Sequence, residues 1–338
     1  MSGLWFRTHR GSFVITLVWR TDVHMADVSP ASRTDDWATT ILGKLRQVGD
    51  TARAVKADAV LDGGDFFHIK SPTRNSHEIV RRVAELHAEY PCPVYANVGN
   101  HDLKYGSLEF LDESPLSVLY SSGVFKRLYD NYEAVFVDEH GGVKVRVVGI
   151  PYHGTKYDWN RFTAIAKGDE DFLVVVAHCL ASPTGGTLFD AEDVIGYKQL
   201  VNLDPDVWCF GHWHKNQGTK EIARGKYVVN IGSLSRGSLS QDDLTRTPEC
   251  MVMRFAHGCD PTFEPVPLKV AAPEDVFNLA ERDRNEARKN TMETVVDKLK
   301  DSLAMRESGS ILDAVRQSAV EEGIRERTIM YLEQAGAR

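Results

Sequence analysis

The chain has 338 residues, a formal net charge of −8, 42% hydrophobic residues and 26% charged residues. That length admits one large α/β domain with an appendage, or two domains, at an ordinary globular composition. The negative balance argues against a protein that holds nucleic acid by phosphate neutralisation alone, so such a partner would need bound cations or a local basic patch. Residues 1–11 read as a leader, and Phe13–Trp19 is a run rich in β-branched residues that reads as the first strand. It ends at Arg20-Thr21-Asp22-Val23-His24. If the backbone stays extended, side chains alternate, and Asp22 and His24 leave on one side. Residues 25–35 read as a loop. Trp37, Ile41, Leu45 and Val48 then follow helical spacing, with Asp35 and Asp36 suited to the start of the helix dipole.

A short strand, Ala59–Leu61, runs into Asp62-Gly63-Gly64-Asp65-Phe66-Phe67-His68, where glycines permit a tight turn. A helix is expected from Ser76 to Tyr90, stopped by Pro91. Val94–Val98 is the next strand and ends at Gly99-Asn100-His101-Asp102. Pro115–Ser122 reads as a short helix, and Tyr132–Val137 with Val143–Ile150 as a hairpin around Gly141-Gly142. Leu173–Ala177 is an apolar strand that delivers His178, and residues 181–187 read as a flexible loop. Val207–Phe210 is a buried strand broken by Gly211. His212 and His214 follow, aimed the same way if the segment is extended, with Trp213 between them pointing back into the fold. Lys226–Ile231 and Cys250–Phe255 are further strands. Strand signals stop near residue 270. Met292, Val295, Val296, Leu299 and Leu303 then mark an amphipathic helix, and Ile311, Leu312, Val315 and Ala319 begin another. The expected organisation is a core over residues 1–270 and a helical region over 271–338.

The cysteines, Cys92, Cys179, Cys209, Cys250 and Cys259, are odd in number and form no C-x-x-C pair, which fits a reduced intracellular protein. No stretch approaches the roughly 18–20 apolar residues of a membrane span. Phe13–Trp19 is followed by charged Arg20 and Asp22 where a secretory signal would place small residues. A cytoplasmic protein with no membrane partner is expected.

Five strand ends carry Asp22 with His24, Asp65, Asn100 with His101, His178, and His212 with His214. In an open α/β sheet such ends collect ligands. Oxygen and imidazole donors without thiolate suit Mn²⁺, Fe²⁺ or Zn²⁺. Asp22, His24, Asp65, Asn100, His178, His212 and His214 are too many for one ion. Two ions about 3.5–4 Å apart, bridged by a carboxylate, would use them all.

Asp22-x-His24, Gly64-Asp65, Gly99-Asn100-His101-Asp102, His178 and Gly211-His212-x-His214, in this order over residues 14–235, resemble the motif set of the calcineurin-like metallophosphoesterase superfamily. The resemblance implies an α/β fold: a four-layer α/β/β/α sandwich with the C-terminal helices appended. It implies one metal on Asp22, His24, Asp65 and His214, and a second on Asp65, Asn100, His178 and His212, with Asp65 bridging. His101 would serve the leaving oxygen, with Asp102 orienting its ring. Gly64-Asp65-Phe66-Phe67-His68 with Ser71-Pro72, Gly211–Gln217 and Ile231–Arg236 are most similar to the SbcD-type DNA repair nucleases. That likeness implies a manganese-dependent exo- and endonuclease of DNA repair and recombination, hydrolysing DNA by metal-activated hydroxide attack. His68 would be a second active-site histidine. The partners implied are DNA and an SbcC-type coiled-coil ATPase subunit docking on the C-terminal helices; a homodimer stays open. Arg33, Lys70, Arg74 and Lys215 are candidates to steer a phosphate backbone, solvated surface charge being the alternative. Two other functions stay open: the same chemistry on a small phosphodiester such as a cyclic nucleotide, and a non-enzymatic scaffold, which would be expected to have lost ligands.

Overall fold

The computed structural model describes residues 14–68, 75–138, 142–188, 191–282, 284, 315–316, 322, 325–326 and 329–330. The chain divides into two compact units, Met1–Phe277 and Asn278–Arg338. The residues just before the division are tied to the first unit. The Thr34 N–H donates to the Val276 carbonyl at 3.0 Å, and the Arg33 guanidinium lies 4.7 Å from the centre of the Phe277 ring. This division falls later than residue 270. Most of the helices expected beyond residue 273, Met292 to Leu303 included, lie outside the described residues.

The first unit is built on two six-stranded sheets. The strands, in chain order, are β1 Val14–Arg20, β2 Ala59–Asp62, β3 Val94–Ala96, β4 Phe125–Arg127, β5 Glu133–Val137, β6 Lys144–Ile150, β7 Phe172–His178, β8 Ala181–Ser182, β9 Gly186–Leu188, β10 Glu192–Gly196, β11 Val207–Gly211, β12 Gly218–Ala223, β13 Lys226–Asn230, β14 Glu249–Ala256 and β15 Thr262–Pro267. One sheet runs β15-β14-β1-β2-β3-β4 and the other β12-β13-β11-β7-β6-β5. In each, four neighbouring strands are parallel: β1 to β4 in the first, and β6, β7, β11 and β13 in the second.

Strand alternation assigns the layers. Leu17, Trp19, Val174, Val176 and Cys209 belong to one buried cluster between the sheets. Their neighbours Val18 and Val60 face α1 (Trp37–Val55) and α2 (His77–Ala88) on the outer side of the first sheet. Val175, Trp208 and Phe210 pack outward from the second sheet, against Phe162 and Leu200. Strands covered on both faces need apolar residues at successive positions, which is why these runs lack polar alternation. Each large side chain buried this way stabilises the fold by about 1.5–3 kcal/mol. The result is the expected α/β/β/α order. Its fourth layer is thin, carried among the described residues by the short helices Asn160–Thr163 and Tyr197–Leu200 and by loops.

Several boundaries move. Asp36 caps α1 rather than joining its first turn, accepting the Thr39 N–H at 3.1 Å. The Pro/Gly/Thr-rich stretch read as a flexible loop instead supplies β8 and β9 of a three-stranded sheet completed by β10. The expected hairpin forms between β5 and β6, its tip at 139–141 lying outside the described residues. Among the described residues no helix is long and apolar enough to cross a membrane.

Candidate metal centre

The candidate ligands leave the ends of β1, β2, β3, β7 and β11, which register places together: Arg20 pairs with Asp62, Asp62 with Ala96, and Gly211 with His178. Beyond β1 the chain is not extended. Asp22 and His24 have φ of 53° and 51°, Asp65 has 53° and His212 has 78°. The alternation expected for Asp22/His24 and for His212/His214 is therefore not what aims them. Left-handed backbone at four non-glycine positions turns the chain at the ligands themselves, at a cost of order 1–3 kcal/mol each where packing does not relieve it. Backbone hydrogen bonds hold these turns. Asp22 N–H donates to Gly64 O at 3.1 Å, His24 N–H to Asp65 O at 2.9 Å and Met25 N–H to Phe66 O at 2.8 Å. The loops after β1 and β2 thus run side by side. Gly64, at φ 98°, could not carry a side chain: a Cβ there would sit 2.6 Å from Gly99 N and 2.9 Å from His178 Nδ1.

Three donor groups form among the described residues; His24, His68 and His101 make one, and the two that hold the expected ligands share Asp65. Asp22, His24, Asp65 and His214 bring ligand atoms within 4.8 Å of one another, and so do Asp65, His178 and His212. Asn100 joins the second group, its Oδ1 lying 3.3 Å from His178 Nε2. Asp65 is the common member. Its Oδ1 accepts the His101 backbone N–H at 2.7 Å. Its buried Oδ2 has no hydrogen-bond partner among the described residues and lies 3.4 Å from His178 Nε2 and 3.9 Å from His24 Nε2. Burial opposes the Asp65 charge, but His178, His24 and His101 outweigh it and hold the carboxyl well below its usual range.

The two groups differ in what holds them. The His178 Nδ1–H donates to Gly63 O at 2.8 Å, which directs Nε2 to the site. Burial pushes the His178 pKa down, but the Asp65 carboxylate raises it to about 9. His212 Nε2 lies 2.9 Å from Glu192 Oε1, and that oxygen also accepts the Tyr157 hydroxyl at 2.8 Å. Glu192 was not anticipated. It lies on β10, in a stretch with no motif, and only its carboxylate–imidazole pairing in space identifies it. In the other group His24 Nε2 faces His214 Nε2 at 3.0 Å, and His24 Nδ1 faces His68 Nδ1 at 3.3 Å. Burial and then His214 hold the His24 pKa well below the ordinary imidazole range, so the ring is neutral, with one nitrogen a lone-pair donor to metal and the other an N–H.

His101 and His68 meet at the pocket, their rings stacked with centroids 5.1 Å apart. Asp102 does not orient His101. The His101 Nδ1–H donates to the His68 carbonyl at 2.9 Å, leaving Nε2 as the atom able to exchange a proton. The Asp102 carboxylate instead accepts three backbone N–H groups, from Gly99 at 2.9 Å, Phe67 at 3.0 Å and Phe66 at 3.3 Å. It clamps the 65–67 turn against the 99–102 turn, because a buried carboxylate takes the nearest unpaired donors. Trp213 also departs from expectation. It is half-buried and lines a surface recess with Leu180 and Lys215 instead of pointing into the fold.

The donor set fits divalent metal. A buried carboxylate oxygen without a hydrogen-bond partner among the described residues sits where the two groups meet, and the His24 and His214 Nε2 atoms, both able to ligate a metal, converge to 3.0 Å beside it. A cavity of about 210 Å³ opens over this point, lined by His24, His68, His101 and His214 and by Trp37 and Ser235. Of the candidate steering residues, Arg33 is buried and paired with Asp35 at 2.7 Å, Lys215 is exposed, and Lys70 and Arg74 lie outside the described residues.

The sequence profile of the calcineurin-like phosphoesterases matches residues 17–216. No curated protein sequence matches the chain. Among solved structures it is similar to the calcineurin-like phosphoesterase YfkN from Bacillus subtilis, at 14% identity and TM-score 0.48, covering 84% of this chain and 99% of that one. It is also similar to a dimetal phosphatase from Danio rerio, at 12% identity and TM-score 0.41, covering 75% and 99%. A third is purple acid phosphatase PPD1 from yellow lupin, at 13% identity and TM-score 0.45, covering 72% and 50%. On the family profile, which spans the strand ends from β1 to β11, the chain belongs to the calcineurin-like phosphoesterases and is a metal-dependent phosphoesterase.

Proposed function

We propose that the protein is a dinuclear-metal phosphodiesterase that cleaves DNA, in the manner of the SbcD-type nucleases. The observation that carries the dinuclear reading is Asp65, whose unpartnered Oδ2 lies between His24 and His178 and belongs to both donor groups. Asp22, His24, Asp65 and His214 would hold one ion, and Asp65, Asn100, His178 and His212 the other. The donors suit Mn²⁺, Fe²⁺ or Zn²⁺, and the SbcD-type likeness implies Mn²⁺ among them. Two bound ions would supply Lewis-acid activation of water and of the phosphate. The chain's own part is to orient and to move a proton. Gly63 O and Glu192 fix the rings of His178 and His212. His101, anchored through Nδ1, offers Nε2 to protonate the departing oxygen. His68, stacked on His101 and facing His24, borders the place where the phosphate would lie.

Support for DNA as substrate comes from residues 64–72, 211–217 and 231–236, which resemble the SbcD-type motifs, and from the His68/His101 pair in the pocket. On this reading an SbcC-type coiled-coil ATPase would dock on the region 271–338, whose sequence pattern is that of amphipathic helices. One observation favours the second reading, a small phosphodiester: no Lys or Arg lines the 210 Å³ cavity among the described residues. A single Mn²⁺ assay comparing linear duplex DNA, single-stranded DNA and a cyclic nucleotide separates the two. Cleaved DNA is expected; intact DNA beside a hydrolysed cyclic nucleotide would replace the first reading with the second. His101→Gln should keep both ions and lower turnover of an aryl phosphodiester by about 10²-fold or more. An ion lost from that variant would contradict the role given to His101.

A further inference from the structure

A second polar cavity, of about 190 Å³, lies between α1 and the segment that follows β15. Lys44, Arg33, Arg236 and Lys269 line it with Thr40 and Gln47, and among the described residues no carboxylate does. Three of these cations are nearly removed from solvent: Lys44 is 2% exposed, Arg236 3% and Arg33 6%. Buried cations are ordinarily matched by carboxylates, because desolvation without a counter-charge is costly.

The matching here is incomplete. Arg33 is neutralised by Asp35, with hydrogen bonds of 2.8 and 2.7 Å. Arg246, close to the same cluster, is neutralised by Asp242 and Asp243 at 3.0 and 2.9 Å. Among the described residues Lys44 has only a neutral acceptor, the Leu234 carbonyl at 2.9 Å. Arg236 donates through Nη2 to the Ala271 carbonyl at 2.9 Å, while its buried Nε–H has no acceptor among the described residues. Burial, and then Arg236, Arg33 and Arg246, hold the Lys44 pKa well below its usual range, with Asp243 opposing them only in part.

We propose that this cavity is an oxyanion site for a phosphate group, held by Lys44 and the Arg236 Nε–H, with Lys269 at the rim. A free guanidinium N–H and a lysine amine lining one space suit an oxyanion better than a neutral ligand, and phosphate offers an oxygen to each as well as to the rim lysine. The site is separate from the metal centre, yet it meets the same loop. Lys44 donates to Leu234 O and Arg33 to Arg236 O, while the Leu234 and Ser235 N–H groups donate to Thr21 O and Asp22 O at 3.0 and 3.4 Å. The inference does not depend on whether DNA is the substrate.

Calorimetric titration of the full chain with inorganic phosphate, at constant ionic strength and with EDTA present, tests it. Saturable binding is expected where chloride gives none. Arg236→Gln and the exposed Lys269→Glu should each weaken it by about tenfold, the loss of one charge-assisted contact. Lys269→Glu keeps the test sound if the buried variant fails to fold. Asp65→Asn, which alters only the metal centre, should leave phosphate affinity unchanged. A 5′-mononucleotide that competes with phosphate would identify a nucleic-acid end as the source, and failure to compete would identify free phosphate; either supports the site. Absence of saturable binding would overturn the proposal. So would affinity unchanged in both cation variants, or lost in Asp65→Asn.

Discussion

The two halves of the metal centre use the same residue types and are built differently. On the His178/His212 side each imidazole has its outer nitrogen committed, to Gly63 O and to Glu192, so the inner nitrogen already points at the site. On the His24/His214 side the imidazoles face one another, His24 touches His68, and the His214 side chain is 48% exposed. One half is preorganised by hydrogen bonds from outside the centre. The other is held by contacts among its own imidazoles, with His214 open to solvent, and has more to gain from an ion. Ligand orientation by outer partners raises metal affinity, so the ion beside His178 and His212 should be bound more tightly than the ion beside His24 and His214.

Asp65→Asn bears on both halves at once and has the largest expected effect. It removes the shared charge while leaving the shape, and should abolish binding of at least one ion. Phosphoesterase turnover should fall by more than about 10³-fold, beyond the loss of any single oriented donor. Metal analysis and turnover of an aryl phosphodiester check this together. A variant that still holds two ions and turns over would mean that Asp65 does not bridge.

Glu192→Ala attacks the prepared half alone. His212 loses its outer partner, and affinity for the more tightly held ion should fall by about 10- to 100-fold. The other ion should be unaffected, so the two binding steps seen by calorimetry should draw together. Equal weakening of both steps would show that the halves do not differ as the hydrogen bonds suggest.

Much of this centre was legible in the sequence, and what was missed has a physical reason. Polar residues just past apolar strands, after glycine in the case of Asp65, Asn100 and His212, marked these and Asp22, His24, His178 and His214 as candidates, because parallel strands bring such ends to one edge. The strands themselves were legible where both faces are covered, as in β1, β7 and β11. β12 and β15 were not, since their exposed positions carry no periodic apolar signal. Strand alternation is not what brings these side chains together: the turns at Asp22, His24 and His212 are left-handed. Asp102 was given to His101 by its place in the motif, yet backbone donors from Gly99, Phe66 and Phe67 surround it. Glu192 and the buried cations Lys44 and Arg236 act through partners far along the chain, and no spacing within the sequence encodes those meetings.

The pH dependence of metal binding separates the halves again, with a smaller effect. His178 holds its proton up to a pKa of about 9, owing to Asp65, whereas His24 has already lost its proton at neutral pH. An ion on the His178 side must displace that proton. Its apparent affinity should therefore rise with pH, by up to about tenfold per unit below pH 9, and level off above it. His24 has no such proton to displace over that range. In the metal-free protein the sign is opposite for stability. A folded-state pKa above the ordinary 6.5 means the stabilisation is fully present below pH 6.5 and is lost as pH rises through about 9. Melting curves of the EDTA-treated protein should thus fall between those values, while saturating metal, which replaces the proton, should remove the slope.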